Sequence, residues 1–150
     1  MSDVYVRTQI KNWITTNFPS EDLVDLTAQY GTVPEFLDQS GVLPDSPWLG
    51  IEFLPSEEVP ITIGSVTTSG KFREYGGVYI HVVDVAKLGV GDSLLTRGQA
   101  IIDALRGSSI GRVVIESMTK MAFDSGATLR FDGGYMSGSF IVTYHCDLDI

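Results

Sequence analysis

The sequence comprises 150 residues, of which 43% are hydrophobic and 19% charged, so a packed core is available and a single domain over residues 1–150 is expected. Nineteen acidic residues against ten basic ones give a formal net charge of −9, which disfavours tight nucleic-acid binding because phosphate neutralisation needs a basic surface. Cys146 is the one cysteine, so the sequence excludes an intrachain disulfide. The start of the chain predicts no signal peptide, no long apolar run predicts a membrane span, and a reducing cytoplasm is expected.

The first predicted element is an amphipathic helix over residues 3–18. Its apolar residues recur at helical spacing, with polar residues between them. Pro19 ends the helix, because the residue before a proline avoids the α region. The apolar positions are Val6, Ile10, Trp13, Ile14 and Phe18.

The next stretch carries weaker signals. Residues 20–26 begin with Ser-Glu-Asp and are predicted to form a short helix. A second short helix is predicted after residues 32–35, which have the spacing of a capping box with a proline in the first turn, and it stops at Gly41. Residues 43–47 contain two prolines and are predicted to form a turn.

Strands are predicted next, over residues 48–54, 59–67 and 72–86. Residues 66–71 are small and polar with a glycine, which predicts a mobile hairpin tip. Gly76–Gly77 predicts a bulge or bend in the third strand. The second half of that strand is apolar on both faces, so we expect both faces to be covered. The positions concerned are Val78, Ile80 and Val82 on one face and Tyr79, Val83 and Val85 on the other.

The clearest helix of the sequence follows a glycine-rich turn. Asp92 or Ser93 is predicted to cap it, and Arg106 lies near its end, with Gly107 as the C-terminal stop. One face is apolar, so this helix should lie on the sheet. The apolar face consists of Leu94, Leu95, Gly98, Ile101, Ile102 and Leu105.

The remainder is predicted to be β structure, over residues 110–123, 128–131 and 135–148. Asp132–Gly134 predicts a tight hairpin turn. The last strand alternates, with Phe140, Val142, Tyr144, Cys146 and Leu148 facing one way. The predicted fold is therefore α+β: a mixed, mostly antiparallel sheet of about five to six strands, with the N-terminal helix and one long amphipathic helix packed on it.

Residues that could carry chemistry are scarce. Cys146 is expected to be a buried small hydrophobe, and a Cys-His arrangement with neighbouring His145 is disfavoured because adjacent residues of a strand face opposite ways. Gly89–Gly91 lacks the rest of a phosphate-binding pattern and predicts an ordinary capped turn. We assign no catalytic, cofactor-binding or metal-binding residue. The adjacent acid pairs, predicted to be solvated surface, are Glu21–Asp22 and Glu57–Glu58.

Aromatic residues near loop ends and the polar loop over residues 66–74 are candidates for an interface. Aromatic side chains are enriched at interfaces, although core packing is the ordinary alternative and applies equally to Trp48. The loop adds two basic residues to an acidic protein, and we expect it to become ordered against a partner. The candidate interface residues are Thr68, Ser69, Lys71, Arg73, Tyr75, Tyr79 and Tyr135.

The order of elements resembles the tail-terminator (tail-completion) proteins of long-tailed bacteriophages. The likeness rests on the amphipathic N-terminal helix, the strand over residues 77–83 and the capped helix through residues 97–105, followed by strands over residues 111–115 and 138–144. It covers about 100 residues, mostly beyond Trp48, and residues 21–47 fit it least well.

The resemblance implies a structural virion protein without catalytic residues or a cofactor. Six subunits would form a ring on the head-proximal end of the tail tube, end tube polymerisation and offer a joining surface to the head-completion or connector protein. The expected location is the neck region of the virion, after assembly in the host cytoplasm. An acidic ring also suits a channel through which DNA passes without specific binding, and no membrane is involved.

Two alternatives stay open at this point. One is another phage neck or head–tail joining subunit, which would bind a portal or connector rather than the end of the tube. The other is a small α+β enzyme or ligand-binding domain, which would present a concave pocket with convergent polar groups and perturbed pKa values.

Overall fold

A computed structural model describes residues 2–26, 47–60, 71–85, 89–123 and 135–149. Within these ranges the chain forms two helices and seven strands, so the predicted α+β class is confirmed and the sheet is larger than the five to six strands expected. The elements are α1 (Ser2–Asn17), β1 (Asp22–Asp25), β2 (Trp48–Phe53), β3 (Glu57–Pro60), β4 (Lys71–Val85), α2 (Val90–Leu105), β5 (Val113–Met118), β6 (Ala122–Phe123) and β7 (Tyr135–Asp149).

The strands form one mixed sheet with the order β1-β2-β4-β7-β5. Only the β1–β2 pairing is parallel; every other described pairing is antiparallel. β3 and β2 pair with the same edge of β4, β3 with its first part and β2 with its second part. β5 and β6 likewise pair with different parts of β7. The centre is the β4–β7 ladder, whose register runs unbroken from Lys71↔Asp149 to Val85↔Tyr135.

Both helices pack on the same face of this sheet. Val6, Ile10 and Ile14 of α1 are buried, and they share one hydrophobic core with the apolar side of α2. The sheet side of that core consists of alternate residues, as the period of a strand requires. These are Leu49, Ile51, Phe53, Val78, Ile80, Val82, Phe140, Val142, Tyr144 and Cys146.

The bulge predicted at Gly76–Gly77 is wrong. Both residues keep the regular β4–β7 register, opposite Tyr144 and Thr143. The glycine at position 76 has a packing reason instead: a Cβ there would lie 2.4 Å from the Tyr144 hydroxyl oxygen. Gly76 therefore makes room for an aromatic side chain of the core.

Two predictions about local structure are also wrong. Residues 22–25, expected to be helical, form β1, because β2 supplies a parallel partner in the register Asp22↔Trp48 to Asp25↔Ile51. The cap of α2 is neither Asp92 nor Ser93. The helix begins one turn earlier, after Gly89, whose φ of 82° suits glycine and which offers no side-chain cap. The C-terminal stop at Gly107 agrees with the observed end of the helix.

Several predictions lie outside the described residues: the short helix after residues 32–35, the turn over residues 43–46, residues 61–67 of the second strand, the hairpin tip, the strand over residues 128–131 and its turn. The end of the loop expected over residues 66–74 is described, and residues 71–74 belong to β4. Neither described helix is long and apolar enough to cross a membrane.

Candidate assembly surface

The face of the sheet opposite the helices carries four of the candidate interface residues. Lys71, Arg73, Tyr75 and Tyr79 occupy odd positions of β4, whereas its even positions enter the core. We call this side the open face. A single strand therefore brings these four residues together on one surface, as their alternate spacing in the sequence requires.

The end of the open face near the start of β4 is the exposed end. Tyr75 is 38% exposed and Val114 of β5 is 49% exposed. Both belong to one row across the sheet, in the order Glu57, Tyr75, His145 and Val114. Val59 of β3, 36% exposed, lies in the next row, opposite Arg73. Aromatic and β-branched side chains among polar ones are typical of a protein–protein interface.

An ion pair crosses the same end of the sheet. Arg73 donates two hydrogen bonds to the Asp147 carboxylate, at 2.7 and 3.1 Å. Hydrogen bonding to Asp147, and to a smaller degree to Tyr75, raises the pKa of the Arg73 guanidinium, and the hydrogen bond from Arg73 lowers the pKa of Asp147. Arg73 is thus already engaged within the subunit, and Lys71 is the other basic residue of β4 on this face.

Polar side chains continue this surface along β5 and β7. The His145 Nδ1 atom lies 2.7 Å from a Glu116 carboxylate oxygen, and the Ser117 and Thr143 hydroxyls are hydrogen-bonded to each other. The strand register shifts between Ile115 and Ser117, so Glu116 is the extra residue of a β-bulge. The bulge directs the Glu116 carboxylate onto the open face beside His145.

The opposite end of the open face is buried. Trp48, His81 and Val83 are at most 1% exposed, so the predicted cover on both faces of β4 is confirmed here. Tyr79 is half-buried, with its ring stacked on His81 at 5.6 Å between centroids. The His81 Nε2 atom lies 3.3 Å from the Glu52 carboxylate. Of the aromatic candidates whose side chains are described, Trp48 is thus a core residue and Tyr75 is exposed.

A largely buried ion pair holds α2 against the sheet, and no sequence pattern predicted it. The Arg97 guanidinium bonds both carboxylate oxygens of Glu21, at 2.9 and 2.6 Å, and contacts the carbonyl oxygens of Val83 and Trp48 at 3.2 and 3.4 Å. The two charged side chains are only 16% and 15% exposed. The prediction that Glu21 is solvated surface is therefore wrong, whereas Asp22 and the pair Glu57–Glu58 are exposed as predicted.

Cys146 lies in the core, as predicted, with no exposed surface. Burial raises the pKa of its thiol. The charge of Glu74, which is the residue of β4 paired with Cys146, raises this pKa further. The thiol is thus kept in its protonated, poorly nucleophilic form. Among the described residues, no group of three or more His, Cys, Asp or Glu side chains is arranged to hold a metal ion.

Two shallow grooves lie beside α2 and β5. One, of about 660 Å³, lies along the outer side of α2 and includes Leu95, Ala100 and Met121 among its lining residues. The other, of about 370 Å³, runs between the turn after α2, residues 105–111, and the whole length of β5. The groups with shifted pKa values, Arg73, Cys146 and Asp147, line neither groove.

The remaining candidate residues cannot be placed on this surface. Thr68 and Ser69 lie outside the described residues. Tyr135 begins β7, opposite Val85, and its side chain is not described. Sequence reasoning also missed Val59 and Val114, although both are apolar residues at alternate positions of short strands.

No protein-family model matches the chain, and no curated protein is significantly similar to it.

Proposed function

We propose that this chain is a structural subunit of a long-tailed bacteriophage that forms a ring on the head-proximal end of the tail tube. The ring ends tube polymerisation and provides the joining surface for the head-completion protein. It has six subunits by likeness to tail terminators, and it acts without catalysis or a cofactor. The subunit is assembled in the host cytoplasm and ends in the neck of the virion.

The observation that carries the proposal is the exposed end of the open face. Tyr75, Val59 and Val114 are exposed there among charged and hydroxyl side chains, while both described helices cover the other face. A surface of this composition gains free energy when a partner removes it from water. An assembly role accounts for that surface, whereas an enzyme would need convergent reactive groups in a pocket.

The net charge fits the same role. A closed ring on the tube surrounds the path of the DNA, and a chain of net charge −9 repels phosphate. DNA then passes without being held by the lining of the channel.

A ring also needs two different patches on every subunit, because a cyclic assembly of more than two copies joins head to tail.

The test is native mass spectrometry and negative-stain imaging of the purified chain at several concentrations, alone and with purified tail tubes. We expect closed rings with an open channel, either free or on one end of each tube. A stable interface would bury on the order of 800 Å² per partner. A chain that stays monomeric at high concentration and also fails to bind tube ends contradicts the proposal.

A second measurement separates the terminator from another neck subunit. Tails assembled without this chain should be overlong or unjoined to heads, and addition of the purified chain should restore a fixed length. Binding to an isolated portal or connector instead, with tail length unchanged, would favour the joining subunit.

A further inference from the structure

The exposed end of the sheet is four strands wide, and its two edge strands overlap in the rows of Glu74 and Tyr75. The strands follow the order β3, β4, β7 and β5, and the row from Glu57 to Val114 crosses all four. Within the described residues β3 pairs with β4 alone. β5 pairs with β7, and a bridge from Ile110 occupies the outer side of Val113 only. An edge strand offers backbone groups to a further strand.

The directions of these strands make the two edges compatible. Each neighbouring pair among the four is antiparallel, so β3 runs opposite to β5. If a second copy is placed beside the first with its helices on the same side, its β3 lies antiparallel to β5 of the first copy. The alternation of strand direction then continues from one subunit to the next without a break.

The charges at the two edges are complementary. β3 presents Glu57 and Glu58, both exposed. The side of the molecule that carries β5 presents Arg112 and Lys120, both exposed. On this side Arg106 and Asp103 bond each other, and the Glu116 carboxylate lies within hydrogen-bond distance of His145. Opposite charges across an interface select the partner and its orientation.

The apolar residues at the two edges match as well. Val59 on β3 and Val114 on β5 both lie on the open face, and both are exposed in the single subunit. A joined sheet keeps them on one face, where neighbouring β-branched side chains pack together. The groove of about 370 Å³ beside β5 provides space for the added strand.

We propose that β3 of one subunit adds to β5 of the next, over Val114–Met118, and that this antiparallel pairing joins subunits head to tail. The inference rests on the proposed ring and names the two patches that build it. Glu57 and Glu58 disfavour the pairing of β3 with another copy of itself, because like charges repel. The same acids favour the basic edge, so the occupant is a second copy of this chain in one orientation.

Charge reversal tests the pairing. One variant carries Glu57→Lys with Glu58→Lys and is basic at both edges; the other carries Arg112→Glu with Lys120→Glu and is acidic at both edges. Each alone should lose self-association by about tenfold or more, since like charges then meet at every joint. An equal mixture should form rings again, because the two variants alternate and every joint pairs opposite charges.

A control variant carries Asp22→Lys with Asp92→Lys, which reverses two exposed acids on β1 and α2 and leaves both edges intact. It should assemble like the wild type. Circular dichroism of each variant alone verifies the fold. If the wild type forms rings and either edge variant also assembles normally, the edge pairing is overturned but the proposed ring is not. The same conclusion follows if a mixture of the two well-folded variants stays monomeric. A wild type that never forms rings, even on tail tubes, overturns both proposals.

Discussion

Replacement of Arg97 by methionine should destabilise the fold while leaving the helical propensity of α2 nearly unchanged. The guanidinium bonds both carboxylate oxygens of Glu21 and reaches the carbonyl oxygens of Val83 and Trp48. Methionine fills part of the same space and makes none of these bonds. The Glu21 carboxylate, 15% exposed, then stays desolvated beside an apolar side chain.

The size of the effect follows from burial. Breaking a fully buried ion pair by removing one partner costs about 3–5 kcal/mol. The residual exposure of Arg97 and Glu21, 16% and 15%, allows some solvent screening, so we expect about 2–3 kcal/mol. For a chain of this size such a loss lowers the melting temperature by roughly 5–10 °C.

Urea and thermal unfolding, followed by circular dichroism, measure this loss. Arg106→Met is the matched control, since it makes the same replacement near the end of the same helix, where the side chain is 65% exposed. That control should cost under about 0.5 kcal/mol. Arg97→Met should also cause a smaller loss of stability in a Glu21→Leu background, because no desolvated carboxylate is then left without its ion-pair partner. Equal losses for Arg97→Met and Arg106→Met would refute the reasoning.

Three further outcomes follow from the sheet. Gly76→Ala should destabilise by about 1–3 kcal/mol in urea unfolding, because the added methyl group overlaps the Tyr144 ring and overpacks the core; an unchanged midpoint would show that the ring yields freely. Cys146→Ser should keep ring formation and lose about 1–3 kcal/mol for a buried hydroxyl; a folded variant that cannot assemble would contradict a purely structural thiol. The lowered pKa of Asp147 means that its ion pair stabilises the native state above the ordinary aspartate pKa and loses that effect as pH falls through the folded value. An NMR titration of the Asp147 carboxyl should therefore show a midpoint below the ordinary aspartate value, and the midpoint should return toward that value in Arg73→Gln.

Much of the fold could be predicted because its main elements have strong periodicity. The apolar stripes of α1 and α2 and the alternation in β7 are properties of the local sequence. The structure confirms them, except that Leu95 of the α2 stripe is 38% exposed and the side chain of Leu148 is not described. β1 could not be predicted in this way. Its four residues, Asp22–Asp25, begin like a capped helix and become a strand only because β2 offers a parallel partner far away in the chain.

The candidate surface was partly predictable for the same reason. Alternate spacing puts Lys71, Arg73, Tyr75 and Tyr79 on one side of β4 whatever the partners are. The distinction between exposed Tyr75 and half-buried Tyr79 depends on His81, which stacks on the second ring. Likewise, the ion pair between Arg97 and Glu21 joins residues 76 positions apart. Both are tertiary contacts that periodicity cannot reveal.

The central ladder also has a consequence for the order of folding events. β4 and β7 pair over their full lengths of 15 residues, yet partners lie far apart in the chain, from Val85 with Tyr135 to Lys71 with Asp149. α2 and β5 must be synthesised before the ladder can close. Closing such long loops is slow, so millisecond-to-second folding is expected rather than microseconds. Once the ladder has closed, its backbone amides should be among the last to exchange with solvent, because their exposure requires global unfolding.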